Sequence, residues 1–398
     1  MTEISGDFIT AKIIQKSMVP SAVEKRFNPG NMYFCPSKDF FSVKKILVIQ
    51  QKMIGDVLLS SILCEWIKKH VPESEVHYCI HANTLPVVQN NPFIDQVVLF
   101  NPKKQKNKKA FWKFLKQIRR EHYDTVIDAY GKTESNLIAW SSRAPKRISY
   151  KKWYSRFFYT ETVTRKPIVY TNAGNALEDR LRLVVPEDAI AENILKPKIY
   201  LTESERQEAK KRLVSDGIDG NKPLIMIGIL GSAQNKSLPH KTMAQLIDAT
   251  IAQTHGQLIF NFIPSQKEEV LQIYKLIDHS KKSHVFLGTY GKGLREFLGL
   301  LSHCSMLIGN EGGAVNMAKA LNIPTFTVFS PWIHKKAWNL FEDGKHHVAV
   351  HLSDFEPERY QNASMKVFKK QSDTLYQKLT FNRIQPYLKK FISGILKS

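Results

Sequence analysis

The sequence has no long hydrophobic run, few cysteines and no evident targeting segment. No stretch reaches the roughly 18 apolar residues that a membrane-spanning helix needs. The four cysteines are scattered without a Cys-x-x-Cys pair, so we expect reduced thiols and no metal site. Residues 1–43 contain early acidic side chains and no apolar core segment, which does not match a signal peptide. We therefore expect a cytoplasmic protein.

The common nucleotide-binding signatures are also missing. No Gly-x-Gly-x-x-Gly motif follows a strand, and the glycine-rich residues 288–293 lack the spacing and final Ser or Thr of a P-loop. These absences weigh against a dinucleotide dehydrogenase and against a P-loop kinase. Any nucleotide must then be bound by other loops.

Acidic residues are scarce: 36 stand against 58 basic residues, for a net charge of +22. This excess predicts a polyanionic partner, either nucleic acid, an anionic membrane surface or a phosphorylated substrate. Basic residues crowd into residues 103–120, including Lys104, Arg119 and Arg120, with aromatic residues between them. A solvated helix face and an anionic membrane contact both fit this pattern. We expect no nucleic-acid partner, because no helix-turn-helix, zinc-finger or RNA-recognition signature is present.

The length of 398 residues exceeds the usual size of one core and predicts two domains. Short β-branched runs alternate with segments of helical period, which is typical of parallel sheets with crossover helices. We expect a first strand and helix at residues 45–50 and 54–70, a strand at 285–287 and a terminal helix at 372–396. The predicted division is an N-terminal extension (1–43), two Rossmann-like domains (44–190 and 200–345) and a C-terminal tail with a helix (346–398).

Three loops could carry chemistry, and the first follows the first strand. It contains Lys52 and the pair Gly55-Asp56. Gly55 permits a tight turn, and Asp56 falls in the first turn of the next helix. Asp56 is then either a helix cap or a carboxylate that accepts a proton from a substrate hydroxyl. Composition and spacing alone favour the cap.

The other two loops belong to the second half and are rich in glycine. In residues 228–239, glycine and small residues such as Ser232 are expected to leave backbone N–H groups open to an anion, and Lys236 adds a positive charge. In residues 308–316, a strand runs through Gly312 and Gly313 into a helix, whose free amides suit a diphosphate. Plain turn formation is the alternative for both loops.

Together these loops resemble glycosyltransferase family 9, the ADP-heptose:lipopolysaccharide heptosyltransferases. Gly55-Asp56-Val57 after the first strand is similar to a signature of that family. Residues 90–95 (NNPFID) and 123–131 (YDTVIDAYG) resemble its N-P-x-I-D and D-x-V-I-D-x-x-G segments. Residues 309–325 resemble its G-N-D-[ST]-G-x-x-H-x-A-x-A-L-x-x-P-T segment. The resemblance runs from about residue 45 to residue 338.

The resemblance implies an α/β protein with a GT-B fold, in which two Rossmann-like domains face each other across a cleft. It implies an inverting glycosyltransferase that needs no metal or cofactor and uses a nucleotide sugar, ADP-heptose, as co-substrate. The implied acceptor is a phosphorylated lipopolysaccharide-core or lipid A-type glycolipid at the inner face of the cytoplasmic membrane. By position, Asp56 is the general base. The implied donor-binding residues are Lys236, Ser232, Glu268, Glu311, Gly312, Gly313 and Asn316, and the expected acceptor-binding residues are Lys52, Lys104, Arg119 and Arg120.

This sequence departs from the family pattern in the third loop. Glu311 replaces the usual Asp, Gly312 a Ser or Thr, and Asn316 a His. These departures leave a different donor sugar, or a sugar-nucleotide-binding protein without catalysis, as alternatives. A nucleic-acid-binding protein is the rival suggested by the net charge, and steep salt dependence of DNA binding would identify it.

Overall fold

The computed structural model describes residues 44–101, 107–361 and 364–397 and divides the chain into two compact units. Unit 1 contains the described residues as far as Thr171 and continues with Asn175–Tyr200. Unit 2 contains Asn172–Gly174 and the described residues from Leu201 onward. The predicted extension 1–43 lies outside the described residues.

The described part of unit 1 is built on a six-stranded parallel sheet with the order β3-β2-β1-β4-β5-β6. Its strands are β1 (Lys45–Ile49), β2 (Glu75–His81), β3 (Gln96–Phe100), β4 (Thr125–Asp128), β5 (Lys146–Tyr150) and β6 (Glu161–Val163). Its helices are α1 (Ile54–His70), α2 (Lys108–Arg120), α3 (Thr133–Ser141) and α4 (Asn175–Leu181). Because all of the strands run the same way, the loops that follow them emerge at one edge of the sheet.

Apolar periodicity explains how the helices of unit 1 pack. Leu58, Ile62 and Trp66 recur every four residues on α1 and are all buried. On α2 the buried residues Phe114, Leu115 and Ile118 join a core with α3, while the other face of the helix carries exposed lysines and arginines. The α2 helix is therefore a core helix with a cationic outer face.

Unit 2 is built on a second parallel sheet, which has five strands among the described residues in the order β11-β10-β9-β7-β8. Its strands are β7 (Leu224–Gly228), β8 (Gln257–Phe260), β9 (Met306–Asn310), β10 (Thr325–Val328) and β11 (His347–Val350). Its helices are α5 (Glu203–Ser215), α6 (His240–Thr254), α7 (Lys267–Leu276), α8 (Leu294–Leu301), α9 (Gly313–Ala320), α10 (Lys335–Trp338), α11 (Met365–Lys370), α12 (Ser372–Lys378) and α13 (Phe381–Lys397).

Two glycines let β7 and β9 come close at their carboxyl ends. Gly228 is the register partner of Gly309. A Cβ atom on Gly309 would lie far inside contact distance of the Gly228 carbonyl oxygen, and Gly309 has a φ of +144°, which L side chains rarely adopt. The loops after β7 and β9 therefore start side by side.

The structure differs from the sequence-based prediction in three elements. Residues 285–287 form no strand: Val285 makes a single parallel bridge to Leu258. The predicted helix 372–396 is divided, because α12 ends before α13 begins at Phe381. Residues 346–398, predicted as a separate tail, contribute β11 and α13 to unit 2, where α13 packs on α6.

Two further expectations concern the cysteines and the membrane. Cys64, Cys79 and Cys304 are buried free thiols, and burial raises the pKa of each. Within the described ranges, no helix is both long enough and apolar enough to cross a bilayer.

Candidate functional site

Asp56 lies at the edge of the unit 1 sheet where the strands end. It is the third residue of α1, which begins shortly after β1. Its Oδ1 accepts a hydrogen bond of 2.6 Å from Nη2 of Arg180, and its Oδ2 accepts a long one of 3.4 Å from the backbone N–H of Met53. The second bond is the helix cap that the sequence favoured, and its length shows that the cap is weak. The side chain is about a quarter exposed, so a substrate hydroxyl can reach the carboxylate.

Arg180 holds Asp56 in place and was missed by the sequence-based prediction. The guanidinium is buried on α4, where Nε donates to Oγ of Ser60 at 2.8 Å and Nη1 donates to the carbonyl oxygen of Ala176. Ser60 in turn donates to Oε1 of Gln50 at 3.3 Å. Arg180 thus links α4 to α1 and, through Ser60, to the end of β1. The available signal was a run of charged residues (178–180 and 182) inside an otherwise apolar segment.

Asp128, at the end of β4, stabilises the same edge of the unit 1 sheet, but its carboxylate is occupied by hydrogen bonds within the protein. Asp128 is fully buried, and its Oδ1 accepts the backbone N–H groups of Tyr130 and Gly131 at 2.9 and 2.8 Å. Its Oδ2 accepts the hydroxyl of Tyr159 at 2.6 Å. Burial raises the pKa of Asp128, and these hydrogen bonds oppose the increase. The carboxyl group therefore organises the loop after β4 rather than meeting substrate.

The structure brings only one of the predicted acceptor-binding residues to this edge. Lys52 is exposed in the loop before Asp56, and its charge adds to burial in lowering the pKa of His81 at the end of β2. Arg119 and Arg120 end α2 and lie at the opposite edge, since Lys45 Nζ at the start of β1 contacts Oε2 of neighbouring Glu121 at 2.6 Å. Lys104 lies outside the described residues.

In unit 2, the second and third loops meet through Lys236 and Glu311. Lys236 Nζ lies 3.5 Å from Oε1 of Glu311 and 5.5 Å from the centre of the Trp332 ring. Burial raises the pKa of Glu311, and the lysine opposes this increase. Asn310 also joins the loops, because its Oδ1 accepts the backbone N–H of Leu238 at 2.8 Å. Lys236 is thereby held beside the start of α9.

The glycine-rich loop after β7 is closed on itself. A Cβ on Gly231 would collide with the carbonyl oxygen of Lys236, so glycine is required at this position. The Gly231 N–H donates to Oγ of Ser237 at 2.9 Å, which corrects the expectation that this amide is open to an anion. Ser232 is exposed on the same loop.

Free amides are found instead at the start of α9. Gly312 is the N-cap residue and Gly313 the first helical residue, so the first-turn N–H groups have no partner within the helix. Space around both glycines is open, apart from one ordinary contact of Gly313 with Met317. Half-buried Asn316 follows one turn later. This helix start, with Lys236 nearby, can hold a diphosphate.

A pocket of about 670 Å³ lies beside the loop that carries Lys236. Glu268, at the start of α7, is exposed and lines it. The other lining residues include Gln234, Ser237, His240, Asp373 and Tyr376. The structure thus places Glu268 near the Lys236 loop, as a nucleotide-contacting residue would require. In the part of the chain that the structure describes, no group of three or more His, Cys, Asp or Glu residues is placed to hold a metal ion.

Comparison with known proteins identifies the family of the chain. The family model of glycosyltransferase family 9 (heptosyltransferase) matches residues 111–367. Lipopolysaccharide heptosyltransferase 1 of Campylobacter coli is 23% identical over 304 residues, which cover 72% of this chain and 83% of that protein.

Two solved structures show the fold. The glycosyltransferase family 9 protein of Veillonella parvula has a TM-score of 0.74 at 19% identity, covering 89% of this chain and 98% of that one. The ADP-heptose lipopolysaccharide heptosyltransferase II of E. coli has a TM-score of 0.62 at 15% identity, covering 84% and 99%. These similarities confirm the predicted GT-B fold.

Proposed function

We propose that this chain, which belongs to glycosyltransferase family 9, transfers a heptose from ADP-heptose to a phosphorylated glycolipid of the lipopolysaccharide core. The chain is a glycosyltransferase. The names of similar proteins, a lipopolysaccharide heptosyltransferase and an ADP-heptose heptosyltransferase, support the finer assignment of donor and acceptor. Because the acceptor is lipid-linked and the chain has a net charge of +22, the proposal includes peripheral contact with the inner face of the cytoplasmic membrane.

The observation that carries the proposal is the arrangement of Asp56. One carboxylate oxygen is fixed by Arg180, while the other makes only a weak contact at the exposed edge of the sheet. A fixed carboxylate with an accessible oxygen suits a general base. The acceptor hydroxyl gives its proton to Asp56 and attacks the anomeric carbon of the donor from the face opposite the leaving group. The bond from that carbon to the diphosphate oxygen breaks, and the nucleoside diphosphate leaves.

The leaving diphosphate gains negative charge, which in this proposal is stabilised by Lys236 and by the amides at the start of α9. Such aimed donors are worth about 2.7–4 kcal/mol each in a transition state. Glu311 already pairs with Lys236 and accepts donor-sugar hydroxyls in this proposal. Glu268 accepts a ribose hydroxyl from the side of the 670 Å³ pocket.

A pair of variants separates catalysis from donor binding. Asp56→Asn removes the base and is expected to lower the transfer rate by roughly a hundredfold to ten-thousandfold, with the dissociation constant for ADP unchanged. Lys236→Ala is expected to weaken ADP binding by roughly tenfold or more, because a charge-assisted contact is lost. Radiolabel transfer and isothermal titration calorimetry measure the two effects.

Lys241→Ala provides the matched control for Lys236, since Lys241 is an exposed lysine five positions further along unit 2. It should bind ADP as the wild type does. Wild-type turnover in Asp56→Asn would overturn the base assignment. Equal loss of ADP binding in the two lysine variants would show that general charge, not the Lys236 site, holds the nucleotide.

A further inference from the structure

The loops that follow β5 and β6 begin at the Asp56 edge of unit 1 and expose large apolar side chains. In the loop after β5, which we call the aromatic loop (residues 151–158), Trp153 is 87% exposed and Phe157 is 68% exposed. Tyr154 between them is half exposed, and Ile168 is exposed in the loop after β6. Contiguous exposed apolar side chains of this size usually mark an interaction surface.

Hydrogen bonds and packing hold the aromatic loop to the sheet, so the exposure of its aromatic side chains is a feature of the fold. Lys152 Nζ donates to the carbonyl oxygen of Gly131 at 2.6 Å, and Ser155 is buried. At the end of the loop, Phe158 packs against the core and the hydroxyl of the next residue, Tyr159, bonds to buried Asp128. Arg147, near the start of β5, donates through Nε to the carbonyl oxygen of Phe158 at 2.9 Å, so the loop begins at the Asp56 edge and ends at the opposite edge. The exposed side chains of Trp153 and Tyr154 therefore lie on the Asp56 side, whereas Phe157 lies at the other end of the loop.

Within the segment of sequence that contains the aromatic loop, the charges are of one sign. Residues 146–160 contain five basic residues and no acidic one. Lys151 and Arg156 are exposed beside the aromatic side chains. The loop after β6 adds Arg165, whose guanidinium lies 3.8 Å from the centre of the Tyr150 ring at the end of β5. Indole and phenyl rings flanked by lysine and arginine are the chemistry that the headgroup region of an anionic bilayer accommodates.

We propose that the start of the aromatic loop is the membrane-docking surface, with Trp153 and Tyr154 inserting among anionic headgroups while Lys151 contacts the phosphates. The link to a lipid-linked acceptor rests on the proposed function. Since the loop leaves β5 at the edge where α1 begins, docking there brings the edge that carries Asp56 to the bilayer. This placement lets the base reach a hydroxyl that remains anchored in the membrane.

The cationic face of α2 is the competing surface, and its geometry fits less well. Three of its apolar side chains, Phe114, Leu115 and Ile118, are buried in the core and cannot insert. Trp112 and Trp140 do stand out, 61% and 55% exposed, along a groove of about 470 Å³ that Arg119 also lines. Arg119, near the end of α2, and Trp140, near the end of α3, lie towards the edge of the sheet opposite to Asp56, whereas Trp112 lies in the second turn of α2. The two surfaces thus offer matched pairs of exposed aromatic residues for one test.

The test measures binding of the full chain to sucrose-loaded vesicles, either of phosphatidylcholine alone or with phosphatidylglycerol added. Wild type should sediment with the anionic vesicles only, and less so at high salt. The double variant W153A/Y154A should bind more weakly, by roughly tenfold for each ring removed. The control W112A/W140A should bind as the wild type does. A second comparison reverses one charge on each surface, with K151E in the aromatic loop and K113E on α2.

Loss of binding in the controls but not in the aromatic-loop variants would assign docking to α2 and overturn the proposal. Equal sedimentation of all the variants would overturn it as well. If sedimentation velocity shows that W153A/Y154A instead abolishes a dimer, the loop is an interface between copies of the chain. Transfer to a deacylated, water-soluble acceptor is measured in parallel, and W153A/Y154A should retain it. Loss of that activity in wild type would count against the proposed function alone.

Discussion

The two carboxylate oxygens of Asp56 have different hydrogen-bond partners. Oδ2 accepts the weak capping hydrogen bond at the start of α1, and Oδ1 accepts a hydrogen bond from the guanidinium of Arg180, 124 residues further along the chain. Asp56 alone would be free to rotate about its side-chain torsions. The buried arginine fixes the rotamer and so aims the second oxygen at the exposed edge. Arg180 is therefore a positioning residue for the proposed base.

Arg180→Lys tests that role. A lysine keeps the charge but cannot contact Asp56, Ser60 and the Ala176 carbonyl together, because it lacks the planar fork. Turnover is expected to fall by at least about tenfold, while the KM for the donor stays unchanged. The free energy of unfolding should fall by about 1–3 kcal/mol, since buried partners lose hydrogen bonds.

Arg182→Lys is the control for Arg180→Lys. Arg182 lies two residues further on, is equally buried, and pairs with Asp179 at 2.9 Å and with Glu187 at 3.2 Å. It should show a similar loss of stability with nearly normal turnover. If both variants lose turnover in proportion to stability, Arg180 has no positioning role.

His351 gives unit 2 a defined pH dependence. Its ring is buried after β11, where Nδ1 accepts the backbone N–H of Ser353 at 3.1 Å. Burial lowers the pKa of His351 from 6.5 to about 4, against the opposing charge of Asp354. The unfolded chain then binds the proton first as the pH falls. The stabilisation is complete above pH 6.5 and is lost as the pH falls towards 4, by about 3 kcal/mol in all.

Urea unfolding between pH 7 and pH 4 measures this dependence. His351→Asn keeps an acceptor for the Ser353 N–H, so the variant should fold, and its stability should fall less steeply with acid than that of the wild type. His346→Asn removes an exposed imidazole nearby and serves as the control. Identical slopes for wild type and His351→Asn would contradict the prediction.

Among the elements, α13 shows how the end of the described chain completes the core of unit 2. Ile384, Leu388, Phe391 and Ile392 recur at helical spacing and are all buried in one cluster with α6 and β10. The Phe391 ring lies 5.7 Å from that of Phe326 on β10. The helix is therefore a structural layer over the sheet that carries the proposed donor site.

Phe391→Ala should lower the free energy of unfolding by about 3–5 kcal/mol, since it leaves a cavity in a packed core. Tyr387→Ala on the exposed side of the same helix should cost far less, because that ring is 41% exposed. Thermal and urea unfolding compare the two variants. Similar, small losses in both would mean that α13 is only loosely attached.

Element-scale prediction succeeded where the determining pattern is local. The strand before Gly55 and the helix with Leu58, Ile62 and Trp66 follow from periodicity, and so do the carboxyl-edge loops. The prediction failed where contacts between residues far apart in the sequence determine the structure. Residues 285–287 have strand-like composition, but they make a single bridge to β8, between Val285 and Leu258, and form no strand. The charged run around Arg180 is visible in the sequence, but its pairing with Asp56 is not, since the packing of α4 on α1 brings the two residues together.

At the scale of the whole molecule, the net charge of +22 bears on the kind of partner, and the division into two units bears on where the donor binds. The charge alone suits nucleic acid as well as a membrane, and it does not choose between them. The two proposed tasks fall on different units: the base lies in unit 1, and the residues proposed to hold the donor lie in unit 2. A nucleotide sugar should therefore stabilise unit 2 directly.

A panel of nucleotide sugars tests the whole proposal through stability. A ligand at a hundred times its dissociation constant adds about 2.7 kcal/mol, so ADP-heptose should raise the unfolding temperature measured by differential scanning fluorimetry. UDP- and GDP-linked sugars should raise it less, and Lys236→Ala should remove the shift. Stabilisation by a different nucleotide sugar would leave the proposed glycosyltransferase reaction in place but change its donor. The presence of Glu311 where the family usually has Asp would explain such a result. Stabilisation by duplex DNA alone, fading steeply with salt, would instead support the nucleic-acid rival.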